Sequence, residues 1–189
     1  MKIKLLIFLG LALAGIRGMS APADIPPLDG WTAVLDEAIA DHKDYVAVRE
    51  ARIEALRQQL ARTDAEATDY FRLNAEMYQE YKAYICDSAL YYLSRNLCWA
   101  QRHEDREAAD ETLIRRAHLM SAAGMYKEAS EDLEKVIPSE LPARLLPDYY
   151  ECFRHLYNEL GMYTKDTFRR RRYYELYARY NDSLIQAVS

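Results

Sequence analysis

Apolar residues return every four and three positions along the first third of the chain. The stripe runs through Leu35, Ile39, His42, Val46, Arg49, Ile53, Leu56, Leu60, Thr63, Ala67 and Tyr70, the heptad spacing that keeps one side of a helix apolar. Asp36, Asp41, Lys43, Glu50, Arg52, Glu54 and Arg57 occupy the other faces, so the pattern predicts a long amphipathic helix from about Trp31 to Ala61. Two clean heptads, Ile53 to Leu60, leave two readings open: a coiled-coil homodimer, or a first helix packed on the next hairpin. Thr63-x-x-Glu66 reads as a capping box that starts a new helix.

Beyond it the periodicity predicts helices at about 64–82, 86–102, 107–123, 126–137, 148–160 and 164–186. Gly124 and Gly161 sit where helix ends favour a left-handed residue. Pro138, Pro142 and Pro147 separate the fifth and sixth of these helices, with Pro147-Asp148 opening the sixth. No run alternates with period two over β-branched residues, so the expected fold class is all-α. Gly124-Met125-Tyr126 recurs as Gly161-Met162-Tyr163, thirty-seven residues later, close to the period of stacked helical-hairpin repeats. Such repeats bury a face only against their neighbours and offer a partner a concave surface.

The first residues alter the picture of where the protein works. Lys2 and Lys4, then twelve residues dominated by apolar side chains from Leu5 to Ile16, then small residues, make a secretory signal over 1–23. Cleavage is expected after Ala23 or Ser20. The apolar run is shorter than the roughly 20 residues a bilayer span needs, and no cysteine precedes Cys86, so lipid attachment at the signal is not expected. The expected product is periplasmic, not a lipoprotein, with no membrane span after signal removal. Removing 1–23 leaves 22 basic and 30 acidic residues, a formal charge of −8, which disfavours nucleic acid as a partner of this region.

Cys86, Cys98 and Cys152 are too few for a disulfide scaffold. On one helix Cys86 and Cys98 stand about 18 Å apart and cannot bond. Cys152 pairs with either one, or all three are small core residues.

Residues 112–136 resemble a tetratricopeptide repeat. Leu113, Ala117 and Met120 match the large, small and large packing positions of its first helix, Gly124-Met125-Tyr126 its turn, and Ala129 and Leu133 the small and large positions of its second. Arg116 stands where that repeat usually has Leu. The flanking blocks match less closely: Ala89 and Leu93 resemble a second helix, and Asp166 replaces the small residue in the Gly161 block. The run from Leu35 to Leu56, with Glu80-Tyr81-Lys82 and Asp87-Ser88-Ala89, further resembles the N-terminal region of an exported Bacteroidetes family of unknown function. That resemblance implies tetratricopeptide-like helices outside the membrane, followed in other members by one span, a coiled coil and a helix-turn-helix-like output; neither span nor output is written within these residues.

Candidate chemistry is sparse. His42, His103, His118 and His155 form neither an H-E-x-x-H motif nor a Cys/His cluster, although His103-Glu104 and His155-x-x-x-Glu159 could each place two ligand atoms on one face. No phosphate loop or nucleophile elbow occurs. The reading is non-enzymatic, with no metal and no cofactor. Arg169, Arg170, Arg171 and Arg172, followed by Tyr173, Tyr174 and Tyr177, are the candidate partner contacts, since arginine and tyrosine are enriched at binding hot spots. The alternative is that arginine stems cover tyrosine rings on an exposed helix. The face Tyr173, Leu176, Tyr177, Tyr180 and Leu184 looks uncapped.

The chain therefore reads as a signal peptide (1–23), a long amphipathic helix with coiled-coil character (24–62) and an α-solenoid of tetratricopeptide-like hairpins (63–189). The expected role is an exported binding or sensing module that docks a protein, peptide or envelope ligand in a helical-repeat groove. Alternatives are the sensor portion of a one-span transcriptional regulator and a structural coiled-coil dimer.

Overall fold

A computed structural model describes residues 28–189; the expected signal peptide lies outside them. Helix α1 runs from Leu28 to Leu60, and three hairpins follow. They are α2 (Thr68–Tyr81) with α3 (Cys86–Arg102), α4 (Arg106–Ala122) with α5 (Tyr126–Leu133), and α6 (Leu146–Tyr163) with α7 (Thr167–Val188). Two single 3₁₀ turns, Pro138–Glu140 and Ala143–Leu145, bridge α5 and α6. Among the described residues there is no strand. Two compact units divide between Val48 and Arg49.

In the first unit Leu35, Ile39 and Val46 of the stripe are exposed. In the second, Ile53 and Leu56 are 0% and 5% exposed and pack with Leu73, Met77, Ala89 and Leu93. The two cleanest heptads thus lie inside the chain's own core, leaving a coiled-coil partner only the outer positions.

The helix ends explain most differences from the sequence-based boundaries. Thr63 starts no helix: its hydroxyl donates to the Gln59 carbonyl at 2.8 Å, closing α1, while the Glu66 amide donates to the Asp64 carboxylate at 3.0 Å. This Asx turn delays α2 to Thr68. At the end of α4, Gly124 has φ +84°, and the amides of Gly124 and Met125 donate to the carbonyls of Ser121 and Met120. That is a Schellman ending, as the turn residues predict. The same bonds end α3 with Glu104 at φ 54° in the glycine position.

Gly161 is different. It lies within α6, two residues before its end, with the Tyr174 ring against it. The helix runs on to Tyr163, and Asp166 caps α7 by accepting from the Arg169 amide at 2.8 Å. Asp166 is therefore a cap and not a badly fitting core residue.

The packing positions of the central repeat are as the pattern predicts: Leu113, Ala117, Met120, Ala129 and Leu133 are all buried and join the α6 residues Tyr149, Phe153 and Leu156 in one cluster. Arg116, in place of the usual Leu, reaches across to α5, its Nε 3.2 Å from the Asp132 carboxylate. The two atoms are in ion-pair range but out of line for a hydrogen bond; Lys135 donates to Asp132 at 2.8 Å from the other side.

The tyrosine face of α7 is turned onto α6. Tyr180 stacks on Phe153 with ring centres 4.5 Å apart, Tyr173 on Tyr157 at 6.2 Å, and Arg154 lies over Tyr177 at 5.8 Å. The opposite face carries exposed Arg171, Glu175, Arg179 and Asp182, so the helix that looked uncapped presents charge outward.

Candidate functional site

The first helices of the hairpins, α2, α4 and α6, line a common cleft of about 250 Å3. Its floor is Tyr78, Ile114 and Cys152, each less than 10% exposed. Gln79 of α2 and Lys82, which follows its last residue, stand on one wall, Asp148 and Glu151 of α6 on another, and Arg115 and His118 of α4 between them. Residues from positions 78 to 152 meet here because each comes from the inward face of a separate hairpin.

Several polar groups in the cleft have no partner. Among the described residues Gln79, Lys82 and Asp148 make no hydrogen bond or ion pair, and neither does the Tyr78 hydroxyl; Lys82 lies 5.9 Å over the Tyr78 ring. Gln79, Lys82 and Asp148 are exposed, and the Tyr78 hydroxyl is not among the buried unpaired atoms, so all four polar groups face solvent and are free to meet a ligand. Arg115 is tied to Glu111, and Glu151 to Arg154 at 2.6 Å. Deeper in, the Ser121 hydroxyl lies 3.1 Å from His155 Nδ1, and the His118 and His155 rings are 6.1 Å apart.

A larger cleft of about 370 Å3 lies between α3 and α4. Its charges neutralise one another: Arg106 donates to Asp110 at 2.9 Å and to the Lys135 carbonyl at 3.2 Å. It is held together by its own ion pairs and offers a ligand less.

The electrostatics of the first cleft leave its cysteine unactivated. Burial pushes the Cys152 thiol up to about 12, and Asp148 and Glu151 add to the rise. Its Sγ lies 3.8 Å from His118 Nδ1, but a nucleophilic cysteine needs its pKa lowered. Burial lowers the His118 pKa, and His155 acts in the same direction against Glu151 and Asp148. Hydrogen bonds from Arg154 hold Glu151 below the usual carboxylate range.

The sequence-derived candidates lie elsewhere. Arg169, Arg170, Arg171 and Arg172 are exposed at the start of α7, Arg171 and Arg172 sharing Glu175 at 3.2 and 3.8 Å. Tyr173 and Tyr177 are half-buried on α6, and Tyr174 covers Gly161. None lines the cleft. His103 is fixed in place, stacked on Trp99 at 3.9 Å with its ring nitrogens near the Trp99 and Glu66 carbonyls. Cys98 is exposed, Cys86 half-buried and Cys152 buried, all three free. The all-core reading fits Cys152 alone. Among the described residues no three His, Cys, Asp or Glu side chains gather as a metal site requires.

Three stacked hairpins with a cleft across their first helices are what a tetratricopeptide array builds, and the family described as the SusR N-terminal TPR domain matches residues 39–189. The chain belongs to this family. The SusR-type match bears out both resemblances drawn from the sequence and the all-α helical-repeat class. No curated protein and no solved structure gives a match. A SusR-type TPR domain is a helical-repeat module of an interaction and sensing class, and such domains are generally non-catalytic. No helix among the described residues is long and apolar enough to cross a membrane.

Proposed function

We propose that this chain is an exported, periplasmic binding domain that docks a protein or peptide segment in the cleft between α2, α4 and α6. The observation that carries the reading is the convergence on one concave surface of Gln79, Lys82, Asp148 and the Tyr78 hydroxyl, none of which makes a hydrogen bond or ion pair. An apolar floor with separated cationic and anionic walls suits a segment that offers an acidic side chain to Lys82, a basic one to Asp148 and backbone groups to Tyr78. The signal-like residues 1–23 supply the export half of the reading.

A photo-crosslinking residue at position 79 tests the docking, with position 179 on the outward face of α7 as control. A discrete adduct in source cells at 79 and none at 179 supports it; equal labelling, or none, removes the cleft from the account.

A second reading is favoured by the words of the family description, which place the SusR-type domain N-terminal in its parent protein: the chain is then the sensor portion of a one-span transcriptional regulator. Immunodetection in fractionated source cells separates the two. A soluble periplasmic band of the size of residues 24–189 supports a free-standing module, and a larger band in the membrane fraction supports the regulator. On either reading Arg169 to Arg172, exposed on the outer hairpin, are a contact surface separate from the cleft.

A further inference from the structure

The turn joining α6 to α7 combines the most exposed aromatic side chain of the hairpins with the densest positive charge. Phe168 is 82% exposed, Tyr163 68% and Met162 59%. Lys165 and Arg169 to Arg172 are close to them in sequence, and between Lys165 and Glu175 there are five basic residues and only two acidic ones. Asp166 is engaged as the α7 cap and Glu175 is shared by Arg171 and Arg172. Among the described residues Lys165 makes no ion pair, nor do the Arg169 and Arg170 side chains. Nothing in the packing of α6 on α7 requires Phe168 to be aromatic, because its ring touches no neighbouring ring and belongs to none of the core clusters.

We propose that this tip docks on an anionic lipid bilayer surface, Phe168, Tyr163 and Met162 entering the headgroup region and the arginines and Lys165 pairing with lipid phosphates. Apolar side chains inside a basic rim are the composition of an interfacial anchor, and each Lys or Arg at an anionic surface adds to the attraction. The bilayer is favoured over an acidic protein by shape. These side chains stand at the last residues of α6 and the first turn of α7, whereas the principal clefts are lined by other residues, so a flat, penetrable partner matches them better than a chain seeking a groove. The remainder of the surface is acidic, with a whole-chain formal charge of −5, so a like-charged bilayer repels it and admits this tip alone.

Flotation of the full chain with vesicles of phosphatidylcholine, with and without phosphatidylglycerol, tests the proposal. Any contribution of the first residues is common to wild type and variants, so the readout is the increment due to anionic lipid. Wild type should show that increment, and Arg170→Glu with Arg171→Glu should lower the partition coefficient by roughly thirtyfold or more. Phe168→Ser should lower it severalfold at unchanged helicity. No increment in the wild type, or one that survives both variants, overturns the proposal. Binding to soluble polyglutamate that is lost in the variants while vesicles fail to bind also overturns it, in favour of an acidic protein.

Discussion

The Tyr174 ring lies on Gly161 so closely that a β-carbon there would sit 3.0 Å from its Cε1. Tyr174 is 42% exposed, so its ring can swing outward and admit a methyl group. An alanine inside a helix gains up to about 1 kcal/mol over glycine. Gly161→Ala should therefore be neutral or stabilising in urea unfolding. Gly124→Ala, at φ +84° with open space around it, should lose about 1 kcal/mol from the backbone alone.

Arg116 and Asp132 cross the central hairpin, and Asp132 is 2% exposed. Arg116→Leu, which restores the repeat's usual residue, strands that carboxylate with Lys135 as its remaining partner. A loss of about 2–3 kcal/mol is expected. Asp132→Ala added to it should recover most of the loss, a coupling that a double-mutant cycle measures directly.

Ile53→Lys should unfold the domain, since Ile53 is 0% exposed. Leu35→Lys, at 55% exposure, should leave the melting temperature unchanged. Light scattering on Leu35→Lys is then the fair test of a homodimer through the stripe: dissociation of a wild-type dimer supports it, and a wild-type monomer ends it.

Burial, with His155 beside it, depresses the His118 pKa from its ordinary 6.5. The unfolded chain takes up the proton first, so the folded state is penalised as pH falls below about 6.5. Above that value both states are neutral and the contribution vanishes. His118→Gln should flatten this part of the stability curve between pH 7.5 and 5.5. The acid loss due to Glu151, whose pKa is lowered, should persist below about pH 4.5.

Native thiol titration should find Cys98 fast, because it is exposed, and Cys152 silent until the protein unfolds, because it is 2% exposed with its pKa raised to about 12.

Local chemistry was legible in the sequence wherever one helix or turn decided the outcome. Leu113, Ala117, Met120, Ala129 and Leu133 are buried as their spacing predicts, and Gly124 is left-handed. Thr63 and Glu66 misled because the same residue types that cap a helix also close one, and the choice rests on the Gln59 carbonyl one turn back. The α7 tyrosines leave a partner contact and packing on the chain's own helices both open, because their pattern cannot say which helix they meet; Tyr173 and Tyr180 meet α6. The cleft was invisible for a further reason. Tyr78, Lys82, His118 and Asp148 form no motif along the chain; they become neighbours only once three hairpins stack.

Forty-one residues separate the starts of α5 and α7, at Tyr126 and Thr167, and also the ends of α4 and α6, at Ala122 and Tyr163. The Gly-Met-Tyr segments stand thirty-seven apart, so the words and the helices keep different time. The four extra residues amount to one turn of α6, about 6 Å of rise with some 40° of added rotation. Anyone swapping or duplicating these hairpins should therefore cut at the caps, Met125 and Asp166. A junction matched on the repeated word would splice a helix interior onto a turn and leave every downstream side chain facing the wrong neighbour.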